Sequence, residues 1–584
     1  MSEAPARTQA GVSAVDEKPL TPAERVAAWL MPSLGDALFI CVFAFGLIGL
    51  QGRVLGVDGD AGWNIALGAM TLRHGLPRTE PFLSTMLGQP VVHWEWLTQV
   101  VYGAAYMLGG LNGVVAVASA LVALTVRGLY EALRRRGMPA LAAVALACLG
   151  GALVALSWTA RAQLFSLLFT LWWGEWLWRY WRDGARWRLG LFPAATALWA
   201  NFHAGYLAGF ALLGAAAALA FALPPARRVA RPGEMALALT GSVLATLLTP
   251  WGFDYWRHLV TFARNPLIPL LTQEYQSPNF HLGLERLFLG LVFALVGVWL
   301  LAVWRAGGRG VEPLGLTLCA LWTALSFVYV RFVPLWPLIC LPYLGQALMG
   351  AAGGPPIAKD GVGALGYEWP EHTDGWRGRV ATWLGMGTGR MVALSRRVET
   401  VDRLLRGALW SVVAVGLGAA LVANGGALPG QSRPLVSARW DAAKLPVAAM
   451  TVLRSEGIPP GRGFNPYEWG GYLDYALPGY HVFIDSRSDV YSSQFLRDYL
   501  TITGVKPGWS RLLDQYHIEW ALIQADAPLR QALALSGWRC QAEGSDGVAA
   551  LCLRPTGGDE GSARVTRMME YQESLWRRTA GRVS

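Results

Sequence analysis

The residues that could do chemistry are few, and they cluster between apolar stretches. Gly56-Val57-Asp58-Gly59-Asp60-Ala61-Gly62-Trp63 sets two carboxylates two positions apart among glycines that permit a tight backbone. Such a pair can share a divalent cation or hold one carboxylate as a general base. The same pattern also suits a turn that caps a helix, with Asp60 accepting backbone N–H bonds. Glu274, within LTQEYQSPNF at 271–280, can complete a metal shell or hold an acceptor group; its plainer reading is a loop carboxylate. Arg161, in Thr159-Ala160-Arg161-Ala162-Gln163, and Arg331 each offer a planar fork that matches a phosphate or diphosphate. Isolated arginines at a membrane edge also snorkel there with no ligand. Asn201-Phe202-His203 adds an imidazole, for which a hydrogen-bonded structural role is commoner than a ligand role. His93, Glu95 and Trp96 make a polar and aromatic rim compatible with sugar stacking or with interface anchoring.

These groups must be positioned by apolar helices. The chain has 584 residues, 54% hydrophobic and 15% charged. A soluble globular protein carries ~25% charged residues, so a polytopic membrane protein fits better than a cytosolic enzyme or a disordered chain. About eleven stretches approach the ~20 apolar residues of a spanning helix. They lie near 35–55, 111–131, 138–158, 164–181, 189–203, 205–223, 235–250, 286–304, 314–330, 332–350 and 406–424. With residues 1–33 read as a cytoplasmic tail, the clusters Arg134 to Arg136, Arg182 to Arg188, Arg227 to Arg231 and Arg305 to Arg309 fall inside, as does the loop 351–405. That bias assigns the +10 formal charge to the cytoplasmic side of a membrane and not to a nucleic-acid partner.

Three pieces are then extracytoplasmic: loops 56–110 and 251–285, beside the membrane domain 34–350, and the region 425–584 after the last span. The first contains an amphipathic run, Trp63 to Leu72, suited to lying along the membrane surface. The last alternates strand-like runs (481–484, 520–523) with helical ones (492–500, 529–535), the pattern of a small α/β domain. A surface helix is expected over 563–578. Cys540 and Cys552 flank a glycine-containing turn and can join across two strands in an oxidising compartment.

The layout and three short motifs resemble the GT-C membrane glycosyltransferases, and among them the oligosaccharyltransferase catalytic subunit. DGDAGWNIALGAMTLRHGLP at 58–77 looks like that family's acidic first loop, and TQEYQSP at 272–278 is similar to its late-loop acidic motif. Tyr467-Glu468-Trp469-Gly470-Gly471-Tyr472, followed by Phe483-Ile484-Asp485-Ser486-Arg487, resembles its acceptor-recognition segment. Two features depart from the family. Its second acidic pair has no counterpart, since that connection reads Ser157-Trp158-Thr159-Ala160-Arg161, and its central Trp-Trp-Asp is missing.

The resemblance implies a GT-C-like fold of about eleven spans with a C-terminal extracytoplasmic α/β domain, in a bacterial inner membrane. It implies sugar transfer from a polyprenyl-phosphate-linked donor, in contact with membrane lipid, to an extracytoplasmic acceptor, with inversion. Asp58, Asp60 and Glu274 would be catalytic, with or without a divalent cation (Mg or Mn). Arg161 and Arg331 would bind the donor phosphate, and His93, Glu95, His203, Trp469 and Tyr472 the substrates. The rival expectations are a GT-C-like scaffold without catalysis and a transporter. A transporter places its ionisable groups near mid-membrane on broken helices, whereas these cluster at the outer ends of spans.

Overall fold

The computed structural model describes residues 30–56, 59–224, 230–306, 311–351, 408–543 and 547–555, together with 26 and 398. Asp58, nearly all of the expected tail 1–33 and loop 351–405, and the helix expected over 563–578 lie outside the described residues.

The described chain is mostly helical with a small C-terminal sheet. Its helices are α1 (Leu34–Ala44, continued by a π-helical turn to Leu50), α2 (Asp60–His74), α3 (Trp96–Arg135), α4 (Ala140–Val154), α5 (Gln163–Asp183), α6 (Leu191–Phe202) and α7 (Tyr206–Ala222). There follow α8 (Pro232–Ala245), α9 (Phe253–Ala263), α10 (Gly283–Ala306), α11 (Pro313–Val328), α12 (Trp336–Ala351) and α13 (Leu409–Ala423). A helix stands at each of the expected apolar stretches, because only a helix satisfies its own backbone groups without water.

Three of these helices, Trp96–Arg135, Ala140–Ser157 and Gly283–Trp304, are long and apolar enough to cross a membrane, and four more are shorter apolar helices. The expectation of about eleven crossings thus exceeds what helix length and composition support. Several helices present large apolar side chains outward: Phe293 and Leu300 on α10 are 67% and 66% exposed, and Val412 and Leu417 on α13 are 68% and 66% exposed. Such faces suit lipid and not water.

The stretch 56–110, expected as a loop with one amphipathic run, holds the helix Asp60–His74 and the start of a long one. Helix α3 begins at Trp96, well before the expected start near 111, and is broken at Gly109 and Gly110, where Gly110 takes φ 57. That backbone suits glycine alone, so the break stays where the two glycines are. The amphipathic run lies within α2, which packs between α3 and the C-terminal domain. The contacts are backbone-close: a Cβ at Gly68 would lie 1.8 Å from the Gln99 carbonyl, and one at Gly62 would lie 2.2 Å from the Gly471 carbonyl.

The C-terminal domain contains α14 (Val447–Glu456), α15 (Tyr467–Ala476), α16 (Ser493–Thr503), α17 (Trp509–Gln515) and α18 (Pro528–Leu535). Its strands β1 (Arg462–Phe464), β2 (Ile518–Gln524), β3 (Arg539–Glu543) and β4 (Ala549–Leu553) form one sheet in the order β1-β2-β4-β3. The pair β1–β2 is parallel and the other two pairs are antiparallel. Cys540 faces Cys552 in the β3–β4 register, and the two are joined in a disulfide.

The run 481–484 is no strand of this sheet; an isolated bridge links Val482 to Leu83. Its polar groups are taken by side chains and by loop 56–110. Phe483 N donates to Asn465 Oδ1 at 2.9 Å, Asn465 Nδ2 donates to the Ile484 carbonyl at 2.7 Å, and Ser84 N donates to the Val482 carbonyl at 2.8 Å. An apolar run whose hydrogen bonds are met elsewhere has no need of a strand partner.

Candidate active site

Asp60 opens α2, but its carboxylate does not cap that helix. Gly59 holds the N-cap position with φ 74, and no side-chain capping bond is made. A Cβ at Gly59 would also fall 2.6 Å from the Tyr472 backbone nitrogen, so α15 presses against the start of α2. The capping reading of the Gly/Asp turn is therefore set aside for Asp60. Its Oδ1 accepts from the Ser486 hydroxyl and from Trp63 Nε1 at 3.4 Å, while Oδ2 lies 2.8 Å from Arg161 Nε.

Arg161 reaches this point from the turn before α5. That turn is held by Ala160 N, which donates to the Val54 carbonyl at 2.6 Å, and by Tyr102 Oη, which donates to the Arg161 carbonyl at 3.3 Å. The guanidinium lies between two carboxylates. Its Nη1 is 2.7 Å from Glu274 Oε1, and Glu274 Oε2 accepts from Gln163 Nε2 at 2.8 Å. Glu274 sits in a 3-10 turn, Gln273–Tyr275, that belongs to loop 251–285. Two expected catalytic residues and one expected phosphate ligand, distant in sequence, thus meet in one ionic cluster.

Burial pushes the Asp60 carboxyl up to about 7. The Ser486 and Trp63 hydrogen bonds oppose that rise, and the negative charges of Glu274 and Glu95 add to it. The Arg161 ion pair favours the charged form. A carboxylate poised near neutral pH is suited to accepting a proton.

Glu95 precedes α3 at the same end of the molecule. Burial pushes it up to about 8, the Asp489 and Glu274 charges raise it further, and Arg331 opposes them. Its Oε1 lies 3.5 Å from His203 Nε2. The His203 tautomer follows from its other nitrogen. Nδ1 accepts from Gly205 N at 3.1 Å and stands 2.7 Å from Ser166 Oγ, which itself accepts from Trp199 Nε1 at 2.7 Å. The proton is then on Nε2 and faces Glu95. Trp96 Nε1 donates to Asn201 Oδ1 at 2.6 Å, which ties the start of α3 to the end of α6.

Arg331 lies in the turn Val330–Phe332, which is fastened to the Glu274 loop by a 2.8 Å bond from Val330 N to the Gln276 carbonyl. Its guanidinium carbon is 4.5 Å from the centre of the Tyr275 ring.

The other expected residues are placed elsewhere. His93 is buried edge-on to Trp251 and held down to about 3 by burial, with the Arg487 charge adding to the effect. Trp469 is in the core of the C-terminal domain and donates its indole N–H to the Lys444 carbonyl at 3.0 Å, and Tyr472 packs edge-on against Trp440. Residues with no expected role complete the cluster: Ser486 on Asp60, Gln163 on Glu274, and Ser166 behind His203. Ser486 stands in the quoted string Phe483 to Arg487, but nothing in its spacing ties it to a carboxylate 426 positions earlier.

The resemblance leaves a divalent cation here open; of its expected ligands Asp58 lies outside the described residues, and the oxygens of the other two are already occupied in ways that do not suit one. All four oxygens of Asp60 and Glu274 are engaged by Arg161, Gln163, Ser486 or Trp63, and a guanidinium, an amide nitrogen or an indole cannot ligate a hard cation. Among the described residues, no group of three or more His, Cys, Asp or Glu is arranged to hold a metal.

No family model and no curated protein matches the chain. Among solved structures it is similar to the archaeal oligosaccharyltransferase AglB from Archaeoglobus fulgidus, determined in complex with an inhibitory peptide and a dolichol-phosphate. The TM-score is 0.43 and the identity 11%, over 84% of this chain and 70% of that one.

Proposed function

We propose that the chain is a membrane glycosyltransferase of GT-C type. It moves a sugar from a polyprenyl-phosphate-linked donor to an extracytoplasmic acceptor in one displacement, with inversion at the anomeric carbon. The observation that carries this reading is the convergence of Asp60, Arg161 and Glu274 on one another, with the C-terminal domain's Ser486 on Asp60.

In this reading the acceptor's hydroxyl or amide group attacks the anomeric carbon as the bond from that carbon to the phosphate oxygen breaks. The bonding pair leaves with the phosphate, and the acceptor proton passes to Asp60. Glu274 positions the acceptor. Arg331, half-buried beside Tyr275, meets the negative charge that develops on the leaving phosphate. Arg161, engaged by both carboxylates, holds Asp60 and Glu274 at a fixed separation.

The test is turnover of radiolabelled polyprenyl-linked sugars by the purified protein in lipid nanodiscs, beside Asp60→Asn. Consumption of a donor that is lost in the variant is the expected result. A folded protein that consumes no donor, or an Asp60→Asn variant with full activity, overturns the proposal.

A further inference from the structure

We propose that Arg161 is the built-in cation of this site: its guanidinium takes the place between Asp60 and Glu274 that a divalent metal would otherwise fill. The inference deepens the transferase reading, and for activity it rests on that reading. Its structural content stands on three side chains alone.

Two carboxylates brought close from separate loops repel each other unless positive charge lies between them. Here Nη1 of one guanidinium donates to Glu274 Oε1 at 2.7 Å, and its Nε lies in an ion pair 2.8 Å from Asp60 Oδ2. The remaining oxygen of each is met by a hydrogen-bearing group, the Ser486 hydroxyl on Asp60 and the Gln163 amide on Glu274. A metal entering this place would have to displace an arginine whose backbone is fixed on both sides. Its own carbonyl accepts from Tyr102, and the preceding residue is bonded to Val54. The guanidinium's N–H bond sets the direction of Glu274, and its charge holds Asp60 beside it. Arg161 is thus a positioning residue, and removing its head group should convert the site into a two-carboxylate pocket with room for a cation.

The experiment is titration of the full-length protein in nanodiscs with Mn2+, followed by the loss of the free-ion electron paramagnetic resonance signal. Wild type, Arg161→Ala, and Arg161→Ala combined with Asp60→Asn are compared. Wild type is expected to bind no stoichiometric Mn2+ at this site, the alanine variant to gain one equivalent, and the double variant to lose it again. One equivalent bound by wild type and lost in Asp60→Asn overturns the proposal, as does a folded Arg161→Ala that binds none. Should Arg161→Ala fail to fold, Arg161→Gln, which removes the charge and keeps the stem, takes its place with the same expected gain. The measurement uses no donor, so its failure and that of the transferase reading are seen separately.

Discussion

Arg487 of the C-terminal domain holds Glu80 of loop 56–110 by both carboxylate oxygens, Nη1 at 3.0 Å from Oε2 and Nη2 at 2.9 Å from Oε1. Both side chains are buried, with 5% and 1% of their area exposed. The same guanidinium donates through Nε to Asp485 Oδ2 at 2.7 Å, one residue before Ser486. The pair therefore docks loop 56–110 onto the segment that delivers Ser486 to Asp60.

Removing Arg487 should leave two buried carboxylates, Glu80 and Asp485, without their shared cation, at a cost of about 3–5 kcal/mol, and removing Glu80 alone should cost less because Asp485 still holds the guanidinium. Glu80→Ala is expected to lower the melting temperature in nanodiscs and to open the 78–90 segment to protease. Glu80→Leu with Arg487→Met should not recover that loss, since it leaves the Asp485 carboxylate buried without the guanidinium that it shares with Glu80.

Substituting Asp60 tests chemistry more than folding. Asp60→Asn keeps the shape and the hydrogen-bonding capacity toward Ser486, so the melting temperature should stay within a few degrees. Donor consumption should fall by about 10²–10⁴-fold, the usual contribution of a positioned general base.

Gly62→Ala is predicted to separate position from composition. Its Cβ would meet the Gly471 carbonyl at 2.2 Å, which forces α2 away from α15. Far-UV circular dichroism should be unchanged while transfer is lost, because Asp60 no longer reaches Ser486. Retained transfer would show that the α2–α15 contact does not position the site.

Glu95 should give stability a pH dependence of definite sign. Its folded value of about 8 lies above the ordinary 4.5. The folded state then binds the proton more tightly than the unfolded one. This contribution is fully present below about pH 4.5 and is lost as pH rises toward 8, on the order of 5 kcal/mol. Thermal melts of wild type should decline across that window, and Glu95→Gln should decline less.

The disulfide closes a sequence separation of 12 residues between β3 and β4. Replacing both cysteines by serine should destabilise the C-terminal domain by about 3 kcal/mol on the loop-closure model. Proteolysis within 536–555, with and without reductant, reads the effect.

The helices were legible because long apolar runs leave the backbone no other way to bond itself. The C-terminal sheet was only partly so. The run 520–523 lies within β2, whereas 481–484 has the same apolar character but gives its hydrogen bonds to Asn465, Ser84 and Thr85. Periodicity reports which faces are apolar and not which partners supply hydrogen bonds. The candidate residues Asp60, Arg161 and Glu274 stood out as ionisable groups at the edges of apolar stretches. That Arg161 lies between the other two depends on how three loops fold over one another, and local spacing does not encode that.

The contact between Ser486 and Asp60 spans 426 positions of sequence and gives the protein an order of assembly. Asp60, Arg161 and Glu274 are all synthesised before the C-terminal domain exists. A chain still emerging from the ribosome therefore carries the carboxylates without the hydroxyl that orients one of them. The cluster becomes complete only after the C-terminal domain has folded back onto loop 56–110. Competence of the site is thereby tied to completion of the chain, and a protein truncated before residue 486 would retain its apolar helices while lacking a finished centre.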